Sequence, residues 1–298
     1  MNIGFIGLGN MGAPMAANLV KSGNKVYGFD LNQDFLDNHK KIGGYAASSI
    51  ENLAELSEVI ILSLPAGKHV AAVCGGEHGI FKHATKGTLI IDCSTIDVPT
   101  SKELAAEARR NDLSMIDAPV SGGVTGAKSA TLTFMVGGEK KDYETAMLFL
   151  KCMGTNFIYV GQNGAGVGAK IANNMMLGVA AVATAEAVSL AIKVGVDPKK
   201  FYDIASTSTS TGSCWALNNC YPIPGITENS PANNDYNPGF SSALLLKDLK
   251  LARDSATTSK HSLLMNDVAI GLYESMVNNG LAGKDFSALI TVLYPEAL

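Results

Sequence analysis

The sequence predicts an α/β protein with a doubly wound sheet at its N-terminus, a long connecting helix and an all-α C-terminal domain. Three observations predict this architecture. Short apolar runs alternate with helix-like segments up to about residue 162, which is typical of a parallel sheet covered on both faces. Beyond that point the strand patterns stop, and an Ala-rich stretch of helical character begins. The predicted parts are residues 1–162, a connecting helix over 163–195, and residues 196–298.

Apolar runs bounded by glycine and polar residues mark the expected strands of the sheet. The first run, "NIGFIG", is followed by a segment with helical spacing that stops at Gly23. Later runs end in polar or glycine-rich stretches, where turns are expected. The predicted strands cover residues 2–7, 25–30, 58–65, 87–95, 113–123, 131–138 and 155–161.

The second half of the chain has helical patterns. Residues 164–194 form one helical stretch that ends at Gly195, with Pro198 just beyond it. At 1.5 Å per residue such a helix is roughly 45 Å long, so we expect it to connect the two domains. Residues 206–239 are rich in Ser, Thr, Asn and Pro, and we expect them to be irregular. Helical patterns resume over 241–258 and 262–279.

Composition argues against several classes of protein. The 298 residues carry a formal net charge of −4 without a run of five basic residues, so a nucleic-acid binder is not expected. Five cysteines without C-x-x-C spacing indicate reduced thiols in the cytoplasm. The histidines and cysteines form no zinc pattern, so no metal site is predicted. The uncharged stretch 171–185 is rich in Ala and Gly rather than Leu or Ile, which argues against a membrane span.

The segment "GLGNMG" has the spacing G-x-G-x-x-G at the junction of the first strand and a helix. In this context Gly7 permits the tight turn, Gly9 lets the backbone approach a pyrophosphate, and Gly12 lets helix and strand pack closely. Asn10 and Met11 complete the loop, and N–H groups at the start of the helix then hold the anion. The motif predicts a Rossmann-type dinucleotide site. A glycine-rich turn without a ligand is the alternative.

The second strand ends at Asp30, eighteen residues after Gly12. A carboxylate there hydrogen-bonds the adenosine ribose hydroxyls and repels a 2′-phosphate. Because no Arg follows in "DLNQD", the sequence favours NAD over NADP. Thr95, at a later strand end, would lie at the same edge of the sheet and could reach the nicotinamide side. The alternative is that Thr95 caps the following helix.

The segment "DAPVSGG" follows a predicted strand and combines a hydroxyl with glycine backbone. Ser121, Gly122 and Gly123 together can offer a hydroxyl and closely spaced N–H groups, which suits a carboxylate. The segment therefore predicts a binding site for a substrate carboxylate. A turn without a ligand is the alternative.

Lys170 is the one charged residue near the start of the long apolar helix, and Asn174 lies four residues later. The i, i+4 spacing puts both side chains on one helix face. We expect the ammonium to lie in a cleft, where it transfers a proton. The alternative is a surface lysine whose stem covers apolar neighbours.

The order of the motifs "GFIGLGNMG", "DAPVSGG", "GAKIANN" and "KDL" resembles the β-hydroxyacid dehydrogenase family over nearly the whole chain. The later segments "YPIPG", "SPANNDYNPGF" and "KDFSALI" resemble the members that act on 3-hydroxyisobutyrate. The resemblance implies reversible NAD-dependent oxidation of that small hydroxy acid, as in valine breakdown. Related substrates, serine or tartronate semialdehyde, are the alternative.

The resemblance also implies roles for individual residues. Lys170 would be the catalytic acid and base, and Asn174 would help to place the substrate. Residues 121–123 would hold the substrate carboxylate, and Lys247 would line the cofactor and substrate cleft. His69 occupies the position where the family carries an Asn that contacts the cofactor. Further cofactor contacts are implied for Leu64, Pro65 and Thr95.

Two aromatic residues of the irregular segment have two interpretations. Trp215 and Tyr221 either close the substrate pocket or anchor the loop in a small core. The long helix and the helical domain predict apolar faces that one small domain cannot cover, so we expect a homodimer or homotetramer. A protein that binds NAD only for structure or partner recognition is a further alternative, against which the Lys170–Asn174 pair argues.

Overall fold

The computed structural model describes residues 1–208, 219–223, 225–293 and 295. The chain divides into two compact units, Met1–Lys170 and Ile171–Leu298. The first unit contains a nine-stranded sheet with helices between the strands. The described part of the second unit contains helices and a single isolated β-bridge, between Ser241 and Asp285. The predicted fold class is therefore confirmed.

The sheet has the strand order β3-β2-β1-β4-β5-β6-β8-β7, and β9 pairs with β8. Strands β1 to β6 run parallel to one another. The strands are β1 (Asn2–Ile6), β2 (Lys25–Phe29), β3 (Tyr45–Ala46), β4 (Val59–Leu62), β5 (Leu89–Asp92), β6 (Ser114–Asp117), β7 (Val120–Ser121), β8 (Leu132–Gly137) and β9 (Gly154–Gly161).

Helices cover both faces of this sheet and form the second unit. The helices of the first unit are α1 (Gly12–Lys21), α2 (Gln33–Lys41), α3 (Ile50–Leu56), α4 (Gly67–Cys74), α5 (Ile80–His83), α6 (Val98–Arg110), α7 (Gly123–Ser129) and α8 (Lys140–Leu150). Helix α9 (Ala165–Lys193) begins in the first unit and continues into the second. The further helices whose bounds lie within the described residues are α10 (Pro198–Thr207), α11 (Ser242–Thr258), α12 (Leu264–Met276) and α13 (Leu289–Leu293), with shorter turns at Pro231–Asn233, Val277–Leu281 and Phe286–Ala288.

Successive residues of the central strands enter two separate cores, because side chains alternate across a sheet. On β4, Ile61 belongs to one buried cluster, whereas Ile60 and Leu62 belong to another. Ile91 and Ile90 of β5 divide in the same way. This division explains why the strands are apolar throughout rather than alternating.

The strand predicted over 113–123 is interrupted at Ala118 and Pro119, which divide it into β6 and β7, and the prediction that the sheet is parallel is wrong for β8, which runs antiparallel to both. After β6 the chain passes through Ala118 and Pro119 and continues in the same direction as β7, which pairs antiparallel with β8. Strand β8 is also antiparallel to β6 at Asp117 and Gly137. Proline lacks the N–H that a continuing strand would donate, so the strand is interrupted there, and the chain reverses direction only between β7 and β8, where α7 lies.

Helix α9 is, among the described residues, the one helix long and apolar enough to cross a membrane, with a mean hydropathy of 1.9 over its most apolar window. A core helix satisfies the same criterion. Ala181, Val182, Ala185 and Val188 of α9 belong to the buried cluster of the second unit. The apolar character of α9 is therefore used, at least in part, to build that core.

Candidate active site

The glycine turn between β1 and α1 has the geometry that a dinucleotide site requires. Gly7 has φ of 94°, and a Cβ on it would overlap the carbonyl oxygen of Ser63. A Cβ on Gly12 would overlap the carbonyl oxygen of Gly7. By contrast, a Cβ on Gly9 would meet no atom within 4 Å. Gly7 and Gly12 are thus required by the fold itself, whereas the space beside Gly9 is open.

The N-terminus of α1 is available to an anion. Within the described residues, Met11 at the N-cap provides no side-chain hydrogen bond to this helix. The N–H groups of the first turn of a helix have no intrahelical partner and carry partial positive charge. Open space at Gly9 beside such N–H groups fits the pyrophosphate of NAD. Asn10 is exposed and Met11 half-buried on the same loop.

Asp30 lies at the end of β2 against this loop. Its Oδ2 accepts a hydrogen bond from Leu8 N at 2.7 Å, and its Oδ1 accepts one from Asn32 N at 2.9 Å. Each carboxylate oxygen has a further lone pair, so the group can also accept from two ribose hydroxyls. Leu31, the next residue, is 96% exposed and offers no positive charge to a 2′-phosphate.

The ends of β4 and β5 are joined by side-chain hydrogen bonds. Leu64 N donates to Ser94 Oγ at 2.9 Å, and Ser94 N donates to Asp92 Oδ1 at 2.9 Å. Pro65 is exposed and Thr95 is half-buried beside them. These residues lie after neighbouring parallel strands, where ligands of doubly wound sheets bind.

The interpretation of Thr95 as a helix cap is wrong. Helix α6 is capped by Asp97, whose Oδ1 accepts from Thr100 N at 2.8 Å. Thr95 therefore lies outside the cap, in the segment between β5 and α6. His69 is on α4 and is exposed.

The proposed carboxylate-binding segment forms a sharp turn between β7 and α7. Ser121 pairs with Thr133 of β8, which holds its backbone in the sheet. Gly122 and Gly123 then have φ of 131° and 60°, which residues with a Cβ adopt only with strain. Successive backbone units in such conformations turn their N–H groups into a shared concavity that suits an anion.

Lys170 is buried, with 8% of its surface exposed. A snorkelling surface lysine keeps its ammonium in water, so the burial argues against that alternative. Asn174, one turn later on α9, is 1% exposed. Both side chains of the predicted pair are thus removed from bulk solvent.

A carboxylate in the second unit determines the orientation of the Asn174 amide. Asn174 Nδ2 donates to Asp248 Oδ2 at 2.6 Å, and Asn174 Oδ1 accepts from Asn173 Nδ2 at 3.1 Å. A carboxylate only accepts hydrogen bonds, so the amide nitrogen must face Asp248. Lys247 Nζ lies 3.1 Å from the other oxygen of Asp248, which is 2% exposed. Asp248 was missed from the sequence, although it is the second residue of "KDL".

The two aromatic residues of the irregular segment are Tyr221 and Trp215. Tyr221 is half-buried and packs against the core of the second unit, which supports its interpretation as an anchor. Trp215 lies outside the described residues. Across the described ranges, no group of three or more His, Cys, Asp or Glu side chains is placed to hold a metal ion.

A glycine turn that leaves a helix N-terminus open, an acidic residue at the end of β2 and a buried lysine on a following helix define a dinucleotide-dependent dehydrogenase. The comparisons agree. The profile described as the NAD-binding domain of 6-phosphogluconate dehydrogenase matches residues 2–161. The profile described as NAD-binding of NADP-dependent 3-hydroxyisobutyrate dehydrogenase matches residues 164–293.

Similar proteins extend over the full chain. A probable mitochondrial 3-hydroxyisobutyrate dehydrogenase of Dictyostelium discoideum is 44% identical, covering 98% of this chain and 90% of the relative. An NAD-dependent L-serine dehydrogenase of Pseudomonas aeruginosa is 41% identical, covering 98% of each. The structure of Mycobacterium tuberculosis 3-hydroxyisobutyrate dehydrogenase with L-serine has a TM-score of 0.90 at 39% identity, covering 98% of this chain and 99% of that one. The chain belongs to the 3-hydroxyisobutyrate dehydrogenase family and is an NAD-dependent oxidoreductase.

Proposed function

We propose that this protein catalyses the reversible NAD-dependent oxidation of 3-hydroxyisobutyrate to methylmalonate semialdehyde, with Lys170 as general acid and base. The observation that carries the proposal is the burial of Lys170 at 8% exposure, one turn before an Asn174 whose amide orientation is determined by Asp248. A buried ammonium needs a reason to be retained, since burying a charge is costly. Proton transfer to and from the substrate oxygen provides that reason.

Oxidation of the substrate alcohol removes one hydride and one proton. Bound NAD would supply the acceptor for the hydride of the hydroxyl-bearing carbon. Lys170 Nζ takes the hydroxyl proton during oxidation, and in the reverse direction the Lys170 ammonium returns it to the carbonyl oxygen. Cofactor binding is assigned to the glycine turn with Asn10 and Met11, to Asp30, and to the strand ends at Leu64, Pro65 and Thr95, with Lys247 contributing to both cofactor and substrate.

The remaining groups bind and orient the substrate. Ser121 and the N–H groups of Gly122 and Gly123 hold its carboxylate. Asn174 uses one amide hydrogen for Asp248, which leaves its second hydrogen for a substrate oxygen.

L-Serine is the alternative substrate. The Pseudomonas aeruginosa relative is named an L-serine dehydrogenase and the Mycobacterium tuberculosis structure is with L-serine. In both serine and 3-hydroxyisobutyrate, C2 carries the carboxylate and a hydroxymethyl group. The two compounds differ in the third substituent of C2, which is an ammonium in serine and a methyl group in 3-hydroxyisobutyrate. Lys170 and residues 121–123 would therefore act in the same way on either.

We further propose that the enzyme works in the cytoplasm in valine breakdown, as a homodimer or homotetramer, without a nucleic-acid or membrane partner. Reduced thiols at Cys74 and Cys93 support an intracellular location. Exposed apolar side chains on and just after α9, at Met176, Leu190 and Val194, support self-association.

A substrate panel tests the proposed function. The purified protein is assayed with NAD and 3-hydroxyisobutyrate, L-serine or D-serine, and with NADH and tartronate semialdehyde. The highest kcat/KM is expected for 3-hydroxyisobutyrate. A higher value for L-serine would make serine the substrate, and NAD binding without turnover of any compound would contradict an enzymatic role.

A further inference from the structure

Asp117 lies at the end of β6, four residues before Ser121, and its carboxylate reaches the start of α9. Gly164 N donates to Asp117 Oδ1 at 2.8 Å, and Val167 N donates to Oδ2 at 2.9 Å. Asp117 is 3% exposed. Its carboxylate thus satisfies N–H groups that the first turn of a helix leaves without intrahelical partners.

The glycines before Lys170 make this approach possible. A Cβ on Gly166 would lie 2.8 Å from Asp117 Oδ2 and would overlap the carbonyl oxygen of Met135. A Cβ on Gly137, which pairs with Asp117 between β8 and β6, would lie 2.8 Å from both carboxylate oxygens and 2.7 Å from Gly166 N. The glycine-rich stretch leading to Lys170 therefore accommodates a carboxylate of the protein itself.

The origin of this cap distinguishes α9 from its neighbours. Helices α6 and α10 are capped by Asp97 and Asp197, each directly before its helix. Asp117 precedes Gly164 by 47 residues. A local cap stabilises a helix wherever that helix lies, whereas a cap supplied by a strand also determines the position of the helix on that strand.

The burial of Asp117 disfavours the ionised form of its carboxyl group. Burial raises the pKa of Asp117, and the N–H groups of Gly164 and Val167 act in the opposite direction. The register partner of Asp117 on β5 is a second buried carboxyl group, Asp92. A position that is needed only to end a strand would not require a charged side chain in these surroundings.

We propose that Asp117 is a positioning residue for the reaction. It fixes the axial position and the rotation of the first turn of α9 relative to the end of β6. In this way it sets the distance between Lys170, three residues after Val167, and the turn at residues 121–123. The inference rests on the proposed function, since it takes Lys170 as the proton-transfer group and residues 121–123 as the carboxylate site.

The test compares Asp117→Asn with a matched loss of a helix cap in the same unit. Ser49 caps α3 by accepting from Asn52 N at 3.1 Å, and α3 carries no residue assigned to the site. Asp117→Asn is expected to lower kcat about tenfold or more, since small misplacements of reacting groups have large effects, with KM for NAD unchanged. Ser49→Ala is expected to lower Tm while kcat stays within twofold of the unmodified enzyme.

A double variant identifies the route of the effect. If Asp117 acts through Lys170, Asp117→Asn introduced into a Lys170→Met protein should reduce the residual kcat less than twofold, because groups that act as a unit are not additive. Should Asp117→Asn fail to fold, Asp117→Glu keeps both acceptor oxygens but displaces α9, and the same fall in kcat is expected.

A second readout does not depend on turnover. The rate of reductive methylation of Lys170, followed by peptide mass spectrometry, is expected to change several-fold in Asp117→Asn and to stay constant in Ser49→Ala. The positioning role would be overturned by an unchanged methylation rate. It would also be overturned if Asp117→Asn lowered kcat by the same factor in the Lys170→Met protein as in the unmodified enzyme. Absence of turnover in the unmodified protein would instead overturn the proposed function and leave the methylation result to decide the role of Asp117.

Discussion

Two glycine-rich connections lead from a strand into a helix in the first unit, and they use their helix N-termini differently. Residues 7–12 span the junction of β1 and the start of α1, and residues 161–170 span the junction of β9 and the first turns of α9. At the first connection, no described side chain caps the helix, and a Cβ on Gly9 would meet open space. At the second, the carboxylate of Asp117 accepts from the helix N–H groups, and a Cβ on Gly166 would meet that carboxylate.

The difference shows how one structural device serves two purposes. Both helix N-termini attract negative charge because of the partial charges on their N–H groups. An N-terminus left open suits the phosphates of a bound nucleotide, whereas one occupied by a buried carboxylate is held in place. Glycine spacing alone does not separate the two cases, since both stretches are glycine-rich.

Loss of the Lys170 side chain should have the largest effect on kcat. Lys170→Met keeps length and apolar packing but removes the proton acceptor, so kcat is expected to fall about 10²-fold or more. Tm and NAD affinity, measured by thermal unfolding and titration, should be retained. Asn174→Ala is expected to lose less. Near-normal turnover by a folded, NAD-binding Lys170→Met protein would contradict the mechanism.

Two glycine substitutions test the comparison directly. Gly9→Ala should leave Tm unchanged but raise KM for NAD about tenfold or more, which corresponds to about 1.4 kcal/mol, because the methyl group enters the space assigned to the pyrophosphate. Gly166→Ala should lower the free energy of unfolding by about 2 kcal/mol or more, as expected for steric overlap in a packed region. Destabilisation by Gly9→Ala without destabilisation by Gly166→Ala would contradict the difference proposed here between an open N-terminus at α1 and an occupied one at α9.

Removal of the Ser121 hydroxyl should affect the hydroxy acid rather than the nucleotide. Ser121→Ala is expected to raise KM for the hydroxy acid by the equivalent of about 1–3 kcal/mol, the scale for a charged group that loses a hydrogen bond. KM for NAD is measured in parallel and should hardly change. A variant that lost NAD affinity instead would place this turn in the cofactor site.

We expect cofactor choice to depend on Asp30, the acidic residue beside the first connection. The unmodified enzyme is expected to show at least about tenfold higher kcat/KM with NAD than with NADP, which is about 1.4 kcal/mol of discrimination. The double variant Asp30→Ser, Leu31→Arg should narrow or reverse that ratio. Equal use of both cofactors by the unmodified enzyme would show that Asp30 does not contact the ribose.

The carboxyl group beside Asp117 predicts a pH dependence of stability. Burial raises the pKa of Asp92 to about 7, so between its unfolded pKa, near 4, and this value the folded state holds the proton more tightly. Its contribution to stability is present below the unfolded pKa and is lost as the pH rises through about 7. Raising the pH from 6 to 8 should lower the free energy of unfolding by about 1.4 kcal/mol through this group.

Denaturant unfolding at the two pH values measures the effect. Asp92→Asn, which resembles the neutral acid, should lose this part of the pH dependence. The exposed Asp112→Asn variant is the control and should keep the slope of the unmodified protein. An unchanged slope in Asp92→Asn would show that Asp92 titrates below this range.

Local sequence patterns were sufficient for much of the fold and for the glycine turn on which the proposed cofactor site depends. Apolar strand runs, the spacing of Gly7, Gly9 and Gly12, and Asp30 at the next strand end depend on residues close together in the chain. Each has a direct physical cause in backbone sterics or side-chain alternation. The long helix was also predictable, because helical spacing and its end at Gly195 are local signals.

The sequence by itself therefore determined most of the strands and helices, although not the short β3, and it also determined the glycine turn and the presence of a lysine near the apolar start of α9. Only the tertiary structure decided that β8 runs antiparallel to β6 and β7, that Asp117 caps a helix 47 residues away and that Asp248 orients an Asn174 that lies 74 residues before it. These features join residues whose contact depends on how whole elements pack, and no periodicity or spacing records such a contact. Burial and hydrogen bonding of a polar side chain are consequences of that packing, which is why the sequence alone does not reveal Asp117 and Asp248 as residues that orient groups of the site.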